Sequence, residues 1–453
     1  MPSAYSIMLR RKGFVAALFI IGGLTASAQD NSPYSRYGLG DVVPNTHIVN
    51  RGMAGISAAY QDFLSVNFNN PASFSAFQTR TEQRSGKSVD GRALLDVGIN
   101  FENRILRQPN TTNRFNSPNA LFSYVQFGIP LKRNWGLSFG LRPVSRISYR
   151  INRRDMVRDN DTGAPIDSAI TQFTGSGGTF LPTIGTGYAI KNLSIGASVG
   201  YLFGKRESTT TLNFINDSVN YQRGRSSVQS SFSGLFLNAG IQYKIPIDKI
   251  TNLRLGLAGN LEQKLSGTQD VEKTTIFGSP NGDVPLDTAQ ISSVRGDVVY
   301  PAQYTFGFML DRTNDKLGGW QVGADLVLSQ WAGYRYFGAQ DAVKNTWQVR
   351  AGGQYRPDAT RSYFSNVTYR LGFFTGPDYI TAAGDLPHSG VTLGFGLPIA
   401  NWSRLSPGQF SVLNLALEVS RRGNDNNSLR ENLFRLSAGF SLTDLWFAKR
   451  KYD

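Results

Sequence analysis

The chain has 453 residues with 48 glycines, 29 phenylalanines, 19 tyrosines, two histidines and no cysteine, and a formal net charge of +15. The missing cysteines exclude disulfides, thiol catalysis and thiolate metal centres together. The positive charge is scattered along an exported chain, which argues against nucleic acid and for anionic lipid headgroups, lipopolysaccharide and a basic interior.

Residues 1–28 read as a secretory signal peptide. Arg10, Arg11 and Lys12 form its basic start, Gly13 to Leu24 its apolar core, and Ala26-Ser27-Ala28 a small-residue cleavage site before Gln29. Beyond it no stretch approaches the ~20 apolar residues of a membrane-spanning helix.

Alternation of apolar with small or polar residues then recurs to the end of the chain. In the first such run Leu95, Val97, Ile99 and Phe101 alternate with Asp96, Gly98, Asn100 and Glu102. A second lies near 119–129. A third holds Trp135, Leu137, Phe139 and Leu141 and continues past Pro143 to Ile147 and Tyr149. Further runs fall near 178–190, 193–203, 235–243, 253–262, 300–310, 319–331, 345–356, 365–375, 389–399, 409–421 and 432–447. In the last, Phe434, Leu436, Ala438, Phe440 and Leu442 oppose Arg435, Ser437, Gly439, Ser441 and Thr443. Strand side chains alternate faces, so each run has an oily and a wet face. About fourteen of them, in one meander behind an export signal, predict an antiparallel transmembrane barrel of the outer membrane.

The connections alternate between tight turns such as Lys132-Arg133-Asn134 and long polar segments near 151–176, 206–226 and 266–298, expected as external loops. Trp135, Trp320, Trp331, Trp347, Trp402 and Trp446 stand near strand ends, where interfacial belts form. Pro143, Pro182 and Pro301 are candidate interruptions of the wall, because proline cannot donate to a strand ladder.

Residues 29–88 precede the wall, which is expected over 89–453. They carry Gly52-Met53-Ala54-Gly55, then Ala58, Ala59 and Asp62, then Asn70-Pro71-Ala72. A lumen of this width needs filling, and a compact small-residue segment suits a plug. With these motifs the stretch resembles the hatch of the FadL-type long-chain fatty acid transporters. The resemblance extends to the strand from Trp320 through Asp325 to Trp331, and to Trp347 through Tyr355. It implies passive uptake of hydrophobic or amphiphilic small molecules through a plugged lumen with a lateral exit, and Gly52, Gly55, Asn70, Pro71 and Ala72 as hatch residues. Ser32-Pro33-Tyr34-Ser35-Arg36-Tyr37-Gly38-Leu39-Gly40-Asp41 has no counterpart in the transporters, and relatives of the family include barrels of secretion and assembly complexes. A non-transport barrel subunit with outer-membrane protein partners is therefore the alternative.

Arg142, Arg146 and Arg150 share one strand face by simple alternation. They are expected to line the lumen, as a headgroup site or as partners of Asp96, Glu102 and Asp325 that hold the plug. His47 and His388 stand apart, and Ser389 faces away from its neighbour His388. No enzymatic activity, metal or cofactor is expected.

Overall fold

A computed structural model describes residues 32–446 except 82–87, 110, 113, 160, 216–221, 280–281, 314–317, 359, 361, 383 and 400–409. The signal peptide and Trp402 lie outside these residues.

Two short strands come first, β1 (Asp41–Val42) and β2 (Thr79–Thr81). They are followed by β3 (Ser88–Arg107), β4 (Arg114–Lys132), β5 (Trp135–Arg158), β6 (Pro165–Ile190), β7 (Leu193–Phe214), β8 (Arg223–Pro246), β9 (Thr251–Asn260), β10 (Gln263–Ser279), β11 (Gly282–Tyr300), β12 (Gln303–Thr313) and β13 (Gly319–Ser329). The short β14 (Arg335–Tyr336) and β15 (Ala339–Gln340) lead to β16 (Thr346–Arg356), β17 (Thr368–Pro377), β18 (Pro387–Pro398), β19 (Phe410–Arg422) and β20 (Arg430–Trp446).

Fourteen strands close an antiparallel ring, running β3 to β9, then β12, β13 and β16 to β20. The seam is the ladder from Arg430↔Arg107 to Trp446↔Gly91, which joins the last strand to the first. The face pattern follows the alternation: on β20 Phe434, Leu436 and Leu442 are exposed while Arg435, Ser437, Ser441 and Thr443 are buried. On β7, Ile195, Val199, Tyr201 and Phe203 are likewise exposed. These outward side chains need a lipid solvent, because the closed ladder leaves their backbone satisfied there.

The polar segments expected as external loops are strand instead. β5 and β6 stay paired up to Arg158↔Pro165, and β7 and β8 up to Leu212↔Gly224. β10 and β11 form their own hairpin beside the upper half of β8. Alternation of Ser, Thr and charged residues forms strands as readily as apolar alternation when neighbours supply the ladder. The wall is therefore tall on this side.

Each proline marks a break. At Pro143 the β5–β6 register slips by one residue before Ser145. At Pro182 the β6–β7 ladder skips from Phe180↔Phe203 to Thr183↔Gly200. Pro301 separates β11 from β12. The first break has the largest effect. β4 and β5 are paired with each other only as far as Val125↔Leu141; above that point β4 pairs with β3, and β5 with β6 and the short β1. A gap opens in the upper wall between them.

Candidate functional site

Residues 44–77 lie inside the ring, held by inward groups from strands all around it. The Asp325 carboxylate on β13 accepts the backbone N–H groups of Ser57 and Ala58 at 2.6 and 2.9 Å. Asp96 on β3 accepts that of Val66 at 2.8 Å and lies 3.1 Å from His47 Nε2. Thr392 on β18 accepts from Ala54 at 2.9 Å, and Gln242 on β8 donates to Ala58 and Tyr60 carbonyls. Carboxylates thus grip peptide groups of the segment directly, and such charge-assisted bonds are about twice as strong as neutral ones.

The small residues of the segment have a steric reason. Asn70 caps the 3-10 helix Pro71–Ala76 through Ala72 N–H and donates to the Ala58 carbonyl at 2.6 Å. This knot lies so close to the wall that a Cβ at Gly240 would stand 1.9 Å from Asn70 Oδ1, and one at Gly196 2.4 Å from Ala72 N. Wall glycines form the groove that seats Asn70-Pro71-Ala72. Gly52 approaches Gly394 of β18 in the same way, and Gly55 takes a φ of +83° beside Arg350. Arg350 donates to the Gly55 carbonyl at 3.1 Å, and Arg51 to Asn100 at 2.7 Å. Burial pushes the Arg51 guanidinium down to about 10, which leaves it charged at neutral pH.

The segment Ser32–Val43 runs along the edge of β5 that β4 leaves free. β1 pairs with β5 through Asp41↔Arg146 and Val42↔Ser145, and Val43 N–H donates to Val144 at 3.0 Å. Higher up, Ser32 N–H donates to Ser148 at 3.2 Å. The edge that β4 abandons is thus taken up by the chain's own start. Aromatic side chains fasten it: Tyr34 donates to Leu429 at 2.6 Å, Tyr334 to Gly38 at 3.1 Å, and Tyr379 to Gly40. Tyr34 and Leu39 join a core with Leu181, Leu202, Phe232 and Trp331.

Beside this core lies a buried ionic cluster. Asp41 bridges Arg104 at 2.7 Å and Arg422 at 3.1 Å. Arg422 also meets Asp378 at 2.9 Å, and Arg435 joins Glu102 at 2.7 Å and Glu418 at 2.6 Å. Glu431 lies 3.4 Å from both Arg104 and Arg422 and accepts from Ser32. A cavity of about 270 Å³ lies between this cluster and residues 44–77, and another of about 380 Å³ lies beneath residues 44–77 at the end bearing the short turns.

The structure separates the arginines expected on one face. The slip at Pro143 reverses the parity of β5, so that Arg142, Ser145, Ile147 and Tyr149 are buried together. Arg142 stacks over Phe68 with its guanidinium carbon 4.8 Å from the ring centre. Arg146 reaches Asn119 of β4 at 3.3 Å, across the gap, and Arg150 is exposed. The three therefore share no single face, and of them Arg142 packs against Phe68 of residues 44–77. Asp96 and Asp325 hold that segment through its backbone N–H groups. Trp331 departs from the belt: it is 8% exposed and stacks on Tyr379 at 4.2 Å. Asp41, Arg104, Arg422, Glu431 and Asp378 escaped the sequence reading. For Arg104, Arg422 and Glu431 the signal is charge at an inward strand position, the same that marks Asp96, Glu102 and Arg435; Asp378 follows the end of β17 and lacks it.

The model of the BamG family matches residues 8–453. The chain belongs to the BamG family. No curated protein matches this BamG member. Its fold is similar to the solved monoaromatic hydrocarbon channel CymD, with 15% identity over 89% of this chain and 98% of that one at a TM-score of 0.53. A Pseudomonas aeruginosa FadL homologue gives 15% identity over 91% and 100% at 0.52, and a TodX channel variant lacking S2 gives 15% over 89% and 99% at 0.52. The BamG chain thus shares the FadL-type barrel architecture.

Proposed function

We propose that this barrel is a stoppered, partner-binding subunit of an outer-membrane secretion or assembly complex. The observation that carries the reading is the docking of Ser32–Val43, which pairs with the edge of β5 that β4 leaves free and ties into the ionic cluster through Asp41. A hydrophobic solute crossing here would have to pull Asp41 from two buried guanidinium groups. Uncovering one partner of such a pair costs about 3–5 kcal/mol. Membership of the BamG family supports the reading, as does the tall polar wall from β5 to β11, which offers surface outside the bilayer.

A second reading keeps the same segment as a gate. The parting of β4 from β5 beyond Val125↔Leu141 favours it, because a lateral gap is what passive uptake of hydrophobic or amphiphilic small molecules into the bilayer would use. The two readings part on one pair of substitutions, Val42→Cys with Ser145→Cys. These are register partners in a chain without native cysteine, and cross-strand neighbours are near enough to be bridged. Purification under mild detergent should yield a stoichiometric protein partner from both the oxidised and the reduced form. A monoaromatic probe should cross vesicles no faster with the reduced form than with the oxidised one. Probe passage that appears on reduction, with no partner recovered, overturns the proposal in favour of the gate.

A further inference from the structure

The two cavities differ in charge pairing. Above the hatch, Arg104, Arg422 and Arg435 all meet carboxylates. Beneath it, Arg356 of β16 and Arg370 of β17 point inward on adjacent strands, and no carboxylate among the described residues lies within 4.0 Å of either. Arg356 donates to Thr368 at 3.2 Å; Arg370 donates to Gln354 at 3.0 Å and Asn414 at 3.3 Å. All these partners are neutral. Arg370 is 6% exposed. The acid in the cavity lining, Asp62, lies within electrostatic range of Arg370 but forms no ion pair with it, its oxygens accepting from Tyr60, Leu64 and Ser65. Like charges side by side are unfavourable until a counter-charge joins them.

We infer that this cavity of about 380 Å³ receives an acidic peptide segment of a periplasmic partner. Charge complementarity selects the carboxylates. Access selects a peptide rather than a lipid: the cavity is lined by Pro357, Ser365 and Asn366 of the connection between β16 and β17 and by hatch residues Gln61 to Leu64, at the barrel end with short turns, which faces the periplasm. Phe63, Leu64 and Val412 supply apolar wall beside the guanidinium groups. The inference rests on the partner-binding reading and names the chemistry of one contact.

The test is fluorescence anisotropy of a labelled Glu-rich peptide with the full detergent-purified chain. Arg356→Gln should weaken binding about tenfold, as expected for one charge-assisted hydrogen bond, and binding should fall as salt is raised. Arg370→Lys, which keeps the charge, should bind nearly as the parent does, and gel-shift heat modifiability should show that each variant is a folded barrel. Equal binding by the parent and the Arg356→Gln, Arg370→Gln double variant overturns the inference. So does displacement of the peptide by inorganic phosphate at matched ionic strength, which would mark a general anion site, or by dodecanoate at lower concentration than by unlabelled peptide, which would mark an amphiphile site. Recovery of a partner by the double variant leaves the subunit reading standing whatever the peptide does; loss of any partner from the parent chain removes that reading itself.

Discussion

Asp41 and Arg422 lie 3.1 Å apart although 381 residues separate them in the chain. Asp41 also bridges Arg104, so one carboxylate of the initial segment meets two buried guanidinium groups of the wall. Asp41→Asn removes the segment's share of these contacts, while Glu431 and Asp378 still neutralise the two arginines. We expect docking of Ser32–Val43 to weaken by about 1–3 kcal/mol. Limited trypsin digestion should then cut at Arg36 while the barrel strands stay protected; an unchanged digestion pattern would show that the ion pairs do not hold the segment.

Asp325 grips the segment inside the ring through two backbone N–H groups. Asp325→Ala strands both donors in a buried site, at a cost of about 3 kcal/mol. Amide hydrogen exchange should speed up at Ser57 and Ala58 and stay slow in β12 and β13. Uniform acceleration would instead mean global destabilisation.

Gly240→Val drives a side chain into Asn70, whose oxygen lies 1.9 Å from an ideal Cβ at that position. Overpacking of this kind costs about 1–3 kcal/mol. The expected outcome is a folded, heat-modifiable barrel in which trypsin gains access to Arg51, which is 5% exposed in the parent. The same substitution at Gly224, where nothing lies within 4 Å of an added Cβ, should have no such effect.

Burial, helped by Glu431, raises the Tyr34 hydroxyl to about 12. The sign follows from the folded value lying above the unfolded one near 10. Docking of the initial segment is at full strength below about pH 10 and is lost as the pH climbs towards 12. Tyr34→Phe should remove this alkaline step from a trypsin-sensitivity profile, at a cost of about 1 kcal/mol at neutral pH for the lost bond to Leu429.

The wall was legible because period-two alternation is a local property, and Phe434 through Thr443 display it without help from any neighbour. The polar halves of β5 to β8 and the β10–β11 hairpin were not, because nothing local distinguishes a strand of Ser and Thr from a loop once the lipid-facing residues stop; their pairing is set by partners far along the chain. Arg146 and Arg150 were misplaced for a related reason. Alternation counts residues, and one extra residue beside Pro143 shifts every later side chain to the other face. The motif Asn70-Pro71-Ala72 is a local feature of the sequence, yet its seat of wall glycines depends on strands more than a hundred residues downstream.

Arg104 and Glu102 belong to the first strand of the ring, Glu431 and Arg435 to the last, and Arg422 and Glu418 to its neighbour. The clamp on Asp41 therefore comes into being only when the two ends of the sheet have met. Docking of the amino-terminal stopper is then a late event in biogenesis, dependent on β20, and its protease resistance is a built-in report that the cylinder has finished closing.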